Sequence, residues 1–282
     1  MDNLSIEWRN IVYGPVKSRR LGQSLGINLT PLELKVCNFS CGYCRVGVPS
    51  KGYAEAEDFE KYGLTPDNVK RAISEGLDFH TKNKTNIDYV TIAGNGEPTL
   101  YPWLEEVVEH LLLERNRALY GKPTAIFTNA TTVRQENVRR AIYNLDRRFF
   151  KLDAGDEKTF RRTNTPIGIT IGITYGEVIE NLLALDNYEL SIAVTGGDVS
   201  NYDSFFNPEF MENLRKMRFT RIFVYDIDIP KTVSPRFNRK TEKEKLDGLA
   251  EYLKKETGKE VIVLWEPTTR HDNIPLYPEQ IN

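Results

Sequence analysis

The chain has 282 residues, a formal net charge of −2, 40% hydrophobic and 28% charged residues. That composition supplies a substantial core and excludes a generally disordered chain, and the near-neutral balance excludes a wholly basic nucleic-acid or membrane-surface binder. The N-terminus MDNLSIEWRN lacks the apolar core of a secretory signal, and no run reaches the ~18 apolar residues of a spanning helix. A cytoplasmic protein that makes no membrane contact is expected.

Taken in chain order, β-rich apolar runs ending in Gly, Asn or Asp alternate with helix-like segments, the signature of a parallel sheet with crossover helices. Strands are expected at 24–29, 87–93, 124–128, 149–153, 190–194 and 221–225. Thr65 is placed to cap a helix at 66–81 whose first position is Pro66. Leu104, Val107, Val108, Leu111 and Leu112 give one face to a helix at 103–119. Further helices are expected at 133–145, 175–185 and 208–217. Beyond the sixth strand, 229–240 reads as a proline-rich basic loop, followed by a helix at 242–257 and a strand at 260–264. That tail either extends the sheet or covers one end of it. The expected fold class is α/β, a partial (β/α)6 TIM-like barrel over 1–230 with a C-terminal extension, 231–282, packed on it.

All three cysteines fall in Cys37-Asn38-Phe39-Ser40-Cys41-Gly42-Tyr43-Cys44. Such concentration fits metal ligation better than a disulfide framework. A structural zinc site wants a fourth cysteine or histidine, and His80, His110 and His271 show no finger-like pairing with this loop. Inert buried cysteines would not gather in one glycine-containing loop. An iron–sulfur cluster remains: [4Fe–4S] normally takes four thiolates, so three leave one iron open to a non-protein ligand.

Cys-x3-Cys-x2-Cys with Tyr43 before the last cysteine resembles the signature of the radical S-adenosylmethionine superfamily. The resemblance implies a [4Fe–4S] cluster on Cys37, Cys41 and Cys44, with S-adenosylmethionine on the open iron and Tyr43 near its adenine. Gly94-Asn95-Gly96-Glu97, after the second strand, resembles the family segment that contacts the methionyl amine, with Asn95 interrupting the paired glycines. A carboxylate such as Glu97 suits a cationic amine. Asn129 and Asp153, at the ends of the third and fourth strands, resemble positions that touch the methionyl group or the ribose; each is equally suited to cap a helix. Thr195 is a weaker candidate. Asp226 and Asp228 either face the substrate or end a strand. The segment from Tyr13 to Gly22, with Gly96-Glu97-Pro98-Thr99 and Leu152-Asp153-Ala154-Gly155-Asp156, is similar to iron–sulfur oxidoreductases related to the wyosine tRNA-modifying enzymes. Those carry a second cluster on further cysteines, and this chain has no cysteine left for one.

The resemblance implies reductive cleavage of S-adenosylmethionine to a 5′-deoxyadenosyl radical that takes hydrogen from substrate, with ferredoxin or flavodoxin as electron donor. A tRNA base is one candidate substrate; a partner protein or a metabolite is another. A plain electron-transfer protein is the non-enzymatic alternative. Arg139, Arg140, Arg147, Arg148, Arg161 and Arg162, with Arg19 and Arg20, read either as a phosphate-binding surface or as solvated faces carrying their own acidic partners. Tyr225 and Trp265 suit base stacking or the core.

Overall fold

The computed structural model describes residues 7–168, 172–227 and 232–265; Asp228, His271 and the chain beyond 265 lie outside the described residues. Eight strands within it form one sheet in sequence order: β1 (Val12–Ser18), β2 (Gly22–Ile27), β3 (Tyr89–Ile92), β4 (Thr124–Thr128), β5 (Arg147–Lys151), β6 (Asp186–Val194), β7 (Arg218–Asp226) and β8 (Glu260–Leu264). β1 runs antiparallel to β2, and every other neighbouring pair is parallel. Parallel pairs need crossovers, and α2 (Ala56–Glu60) with α3 (Pro66–Lys82), α4 (Leu104–Ala118), α5 (Glu136–Asn144), α6 (Glu157–Thr163) with α7 (Tyr175–Leu183), α8 (Pro208–Lys216) and α9 (Lys243–Thr257) supply them. A short α1 (Trp8–Ile11) precedes the sheet. β2 to β7 with their helices are the six β/α units of an open TIM-like barrel, and β8 extends the sheet.

Because side chains alternate across a strand, the sheet buries apolar side chains on both of its faces. Outside the sheet, Ile27, Ile92 and Ile126 pack under Ile73 and Leu77 of α3 and Val107 and Leu111 of α4. Inside it, Ala125, Phe149 and Phe223 close on Leu21 from the turn between β1 and β2. Thr65 accepts a bond from the Asn68 amide and Pro66 opens α3, as expected from the sequence. No helix of the described residues is long and apolar enough to cross a membrane.

The expected strands at 124–128 and 260–264 coincide with β4 and β8, and the other five correspond to β2, β3, β5, β6 and β7 with shifted ends. β1 was not anticipated. Nor was the start of β5 at Arg147 and Arg148, whose charges resemble a surface. Arg147 instead pairs with Glu189 of β6 at 2.5 Å, and the guanidinium of Arg148 donates to the Leu145 and Asn187 carbonyls. The helix expected at 133–145 begins only at Glu136, and α6 escaped notice because one short helix shows little periodicity.

β1 and β8 are the edges of the sheet, and the β1–β2 turn reaches between them. Arg19 Nη1 donates to Asp226 Oδ1 at 2.8 Å and to the Leu264 carbonyl at 3.2 Å. Lys240 meets the second oxygen of Asp226 at 3.0 Å. Arg19 and Arg20 are therefore not members of a surface patch. Among the others, Arg140 pairs with Glu105 and Glu136, Arg161 with Glu157, and Arg162 donates to the Ser200 carbonyl, while Arg139 is exposed. Trp265 packs against the outer core.

Candidate cofactor site at the carboxyl ends of the strands

After β2 the chain makes a long loop held by main-chain bonds from distant segments. The Cys37 amide donates to the Lys51 carbonyl, Ser40 to Thr165 and Gly42 to Thr163; Ser234 and Val233 donate to the Gly42 and Cys44 carbonyls. Within the loop, Cys44 N–H meets the Cys41 carbonyl at 2.9 Å, a tight turn that draws the last two cysteines together. The ring of Phe237 packs so closely on Gly42 that a β-carbon there would meet it at 2.1 Å.

Cys37, Cys41 and Cys44 are free and partly buried, and they line one cavity of about 200 Å³ together with Tyr43, Gly94, Gly96, Glu97, Asn129 and Lys151. Among the described residues no three cysteine, histidine or acidic side chains converge on the position of a single ion. Thiols spread around a cavity suit a cluster of several irons better than mononuclear zinc, whose ligands meet at one centre. Burial pushes the Cys41 thiol up to about 11, with Lys151 opposing it, and raises that of Cys37 further. Thiols so disposed ionise when a metal compensates the charge. Lys35 is itself buried, and its Nζ donates to Cys44 Sγ at 3.1 Å and to the Gly47 carbonyl at 2.6 Å.

Opposite the cysteines, the turn after β3 presents Glu97. Its buried carboxylate accepts from the hydroxyls of Thr99 and Thr128, both at 2.6 Å, and from the amides of Asn129 at 2.8 Å and Thr99 at 3.2 Å. Burial raises its pKa, and these donors oppose the rise by favouring the ionised form. Both glycines of the turn are needed for close approach. A β-carbon on Gly94 would sit 2.2 Å from Asn28 Oδ1, and one on Gly96 would sit 1.9 Å from the Val36 carbonyl, which accepts the Glu97 amide. Gly96→Ala is accordingly expected to displace Glu97 from the cysteine loop and cost roughly 1–3 kcal/mol, read in chemical unfolding.

The remaining candidates divide. Asn129 lines the cavity, folds back on Thr131, and donates to Asn38 Oδ1 at 2.6 Å. Asp153 lies two residues beyond β5 and caps no helix, a role taken by Asp156. It accepts from the Tyr43 hydroxyl and the Ala193 amide and faces Lys151 at 3.3 Å. Asn95 turns away, its side-chain amide donating to the Pro31 carbonyl. Thr195 is bound to Asn201 and the Val199 carbonyl and lines no part of the cavity. Lys35, Phe127, Thr128 and Lys151 were missed. For Lys151 a signal existed, since it precedes Asp153 by two residues and so points to the same side of the strand. Burial works against its charge, but Asp153 and Tyr225 outweigh it and hold the ammonium above its usual pKa.

Over residues 34–205 the chain matches the model of the Radical SAM superfamily. It is 37% identical over 180 residues to a UPF0026 protein of Methanocaldococcus jannaschii, covering 64% of this chain and 51% of that one. A UPF0026 protein of Helicobacter pylori J99 is 34% identical over 174 residues, covering 62% and 51%. The chain thus spans about half the length of the curated relatives it matches. Among solved structures, TYW1 with a lysine–pyruvate adduct bound aligns with a TM-score of 0.54 at 16% identity, over 84% of this chain and 75% of that one. A radical SAM methyltransferase from Sphaerobacter thermophilus gives 0.56 at 11%, over 87% and 67%. These likenesses, at such identities, concern the fold. The family match extends over more than half of the chain, with the [4Fe–4S] cluster and S-adenosylmethionine as the family's cofactors, and the chain belongs to the radical SAM superfamily of enzymes.

Proposed function

We propose that this enzyme abstracts hydrogen from a substrate lodged in the barrel, using S-adenosylmethionine bound beside a single cluster on Cys37, Cys41 and Cys44. The carrying observation is the one cavity that three thiols share with a buried, four-fold hydrogen-bonded carboxylate. Cys37, Cys41 and Cys44 would hold the cluster, which with bound S-adenosylmethionine would supply the one-electron reductive cleavage that starts the radical chemistry. The chain's own part is binding, orientation and exclusion of water. Glu97, rigidly held, meets the methionyl amine. Tyr43, fixed by its hydroxyl on Asp153, offers a ring to the adenine, Asn129 supplies a polar contact to the methionyl group or ribose, and Asp153, buried outside the cavity lining, acts by holding Tyr43 and Lys151. Gly94 and Gly96 let that turn come up to the cofactor, while Asn95 and Thr195 act by holding the turns. Electrons come from a ferredoxin or flavodoxin.

The test is anaerobic reconstitution followed by reduction with dithionite and S-adenosylmethionine. Release of 5′-deoxyadenosine supports the reading; a reduced, iron-replete protein that releases none refutes it. Lys35→Met should lower the midpoint potential of the reconstituted cluster, because an ammonium donating to a ligand sulfur favours the more negative, reduced state. A fall of roughly 60 mV, the one-electron equivalent of a tenfold change, is expected in a potentiometric titration followed by electron paramagnetic resonance.

A further inference from the structure

Inside the barrel, one side chain beyond the cysteine cavity, lies the guanidinium of Arg20, which no carboxylate of the described residues meets in a salt bridge and which feels Asp153 only at longer range. Arg20 stacks on Tyr225 with its Cζ 4.2 Å from the ring centroid, and Phe127 and Phe223 stand at 5.3 and 6.0 Å. Its Nη2 donates to Ser191 Oγ at 3.0 Å, whereas Nε is shielded from solvent and has no acceptor. Among the described residues no carboxylate pairs with it. The cations nearest to it are matched by carboxylates: Arg19 and Lys240 share Asp226, Lys151 faces Asp153, and Arg147 pairs with Glu189. An unpaired buried charge is costly, and a fold keeps one where a ligand completes it. Closing the barrel edge does not require Arg20, since Arg19 already makes that contact.

The position of Arg20 links it to the cofactor site. Phe127 and Lys151 line the cysteine cavity, and Lys151 Nζ donates at 2.9 Å to the hydroxyl of the tyrosine on which Arg20 stacks. We infer that Arg20, with Ser191, anchors a carboxylate of a small-molecule substrate at the floor of the barrel, so that the rest of the substrate extends past Phe127 toward the cysteines. A monoanion is specified because Arg20 brings one charge that no carboxylate salt-bridges, and the neighbouring Lys151 already faces Asp153. The planar fork of arginine suits a carboxylate. The aromatic surroundings call for a short apolar body behind the charge.

This inference rests on the radical-enzyme reading, and the experiment separates the two. Calorimetric titration of the reconstituted, S-adenosylmethionine-loaded protein with butyrate, butyramide and methyl phosphate is expected to rank butyrate about tenfold above the amide, one charge-assisted hydrogen bond's worth. Arg20→Met should bring butyrate down to the level of the amide. Arg20→Lys, which keeps the charge without the fork, should fall between, and serves if the methionine variant does not fold. Failure of butyrate to bind, tighter binding of methyl phosphate, or a butyrate preference that survives both substitutions overturns the assignment. If the same wild-type preparation releases 5′-deoxyadenosine, such an outcome removes only the role of Arg20. If it releases none but prefers butyrate, the radical reading falls and the anion site stands.

Discussion

Cys41→Ala is expected to leave the protein folded and without its cluster. Reconstituted wild-type protein should carry about four irons per chain with the broad visible absorption of an iron–sulfur centre, and the variant should fall close to background. Two thiols cannot hold three irons of a cubane, and the nearest replacement, Asn164, whose Nδ2 stands 3.5 Å from Cys41 Sγ, is a poor iron ligand. Release of 5′-deoxyadenosine should drop by at least three orders of magnitude, roughly the contribution of a cofactor that carries the hard chemistry. Removing one sulfur from a partly buried site should cost only about 1 kcal/mol of apo-protein stability. A Cys41→Ala protein that keeps a stoichiometric cluster would mean that the loop is not the site.

Asp226→Ala should produce a large loss of stability. The carboxylate has no exposed surface and holds Arg19 and Lys240 at 2.8 and 3.0 Å, so its removal strands two cations in the interior. Breaking a buried pair by deleting one partner costs about 3–5 kcal/mol, and the present group serves two. The same change removes the carboxylate that ties the β1–β2 turn to β7 and leaves Arg19 only the Leu264 and Asp226 carbonyls, so amide exchange in β1 should quicken along with global unfolding. Adding Arg19→Met to Asp226→Ala should restore part of the loss, since one stranded charge goes with it. Additive effects of the two substitutions in denaturant unfolding would refute the coupling.

Local chemistry was legible in the sequence, and chemistry assembled from distant segments was not. The cysteine loop, the turn at Gly94 to Glu97 and the capped start of α3 each lie within a few consecutive residues, so spacing alone exposes them. β1 is obscured by Gly14 and Pro15, which break the alternation expected of a strand. Arg147 and Arg148 look like a solvated pair because charge usually marks a surface, yet an open barrel has an interior where a cross-strand Glu189 can neutralise one and main-chain carbonyls the other. Arg19 and Arg20 misled for the same reason: Asp226 lies 207 residues away from Arg19, and Ser191 lies 171 from Arg20. Lys35 stands two residues before the first cysteine and shows its role only once the loop curls back to bring Cys44 to it.

The backbone staples of the cysteine loop also set an order of events in the life of the chain. Two of its amides bond to residues 163 and 165, and two of its carbonyls to residues 233 and 234. A ribosome has made Cys37 to Cys44 long before those partners exist, and contacts so distant in sequence form late in folding. The newly made thiols therefore wait on an unframed segment until residues 163 to 234 have been made and placed. Metal delivery belongs after the last strands are in place, when the loop has a shape for a cluster to enter.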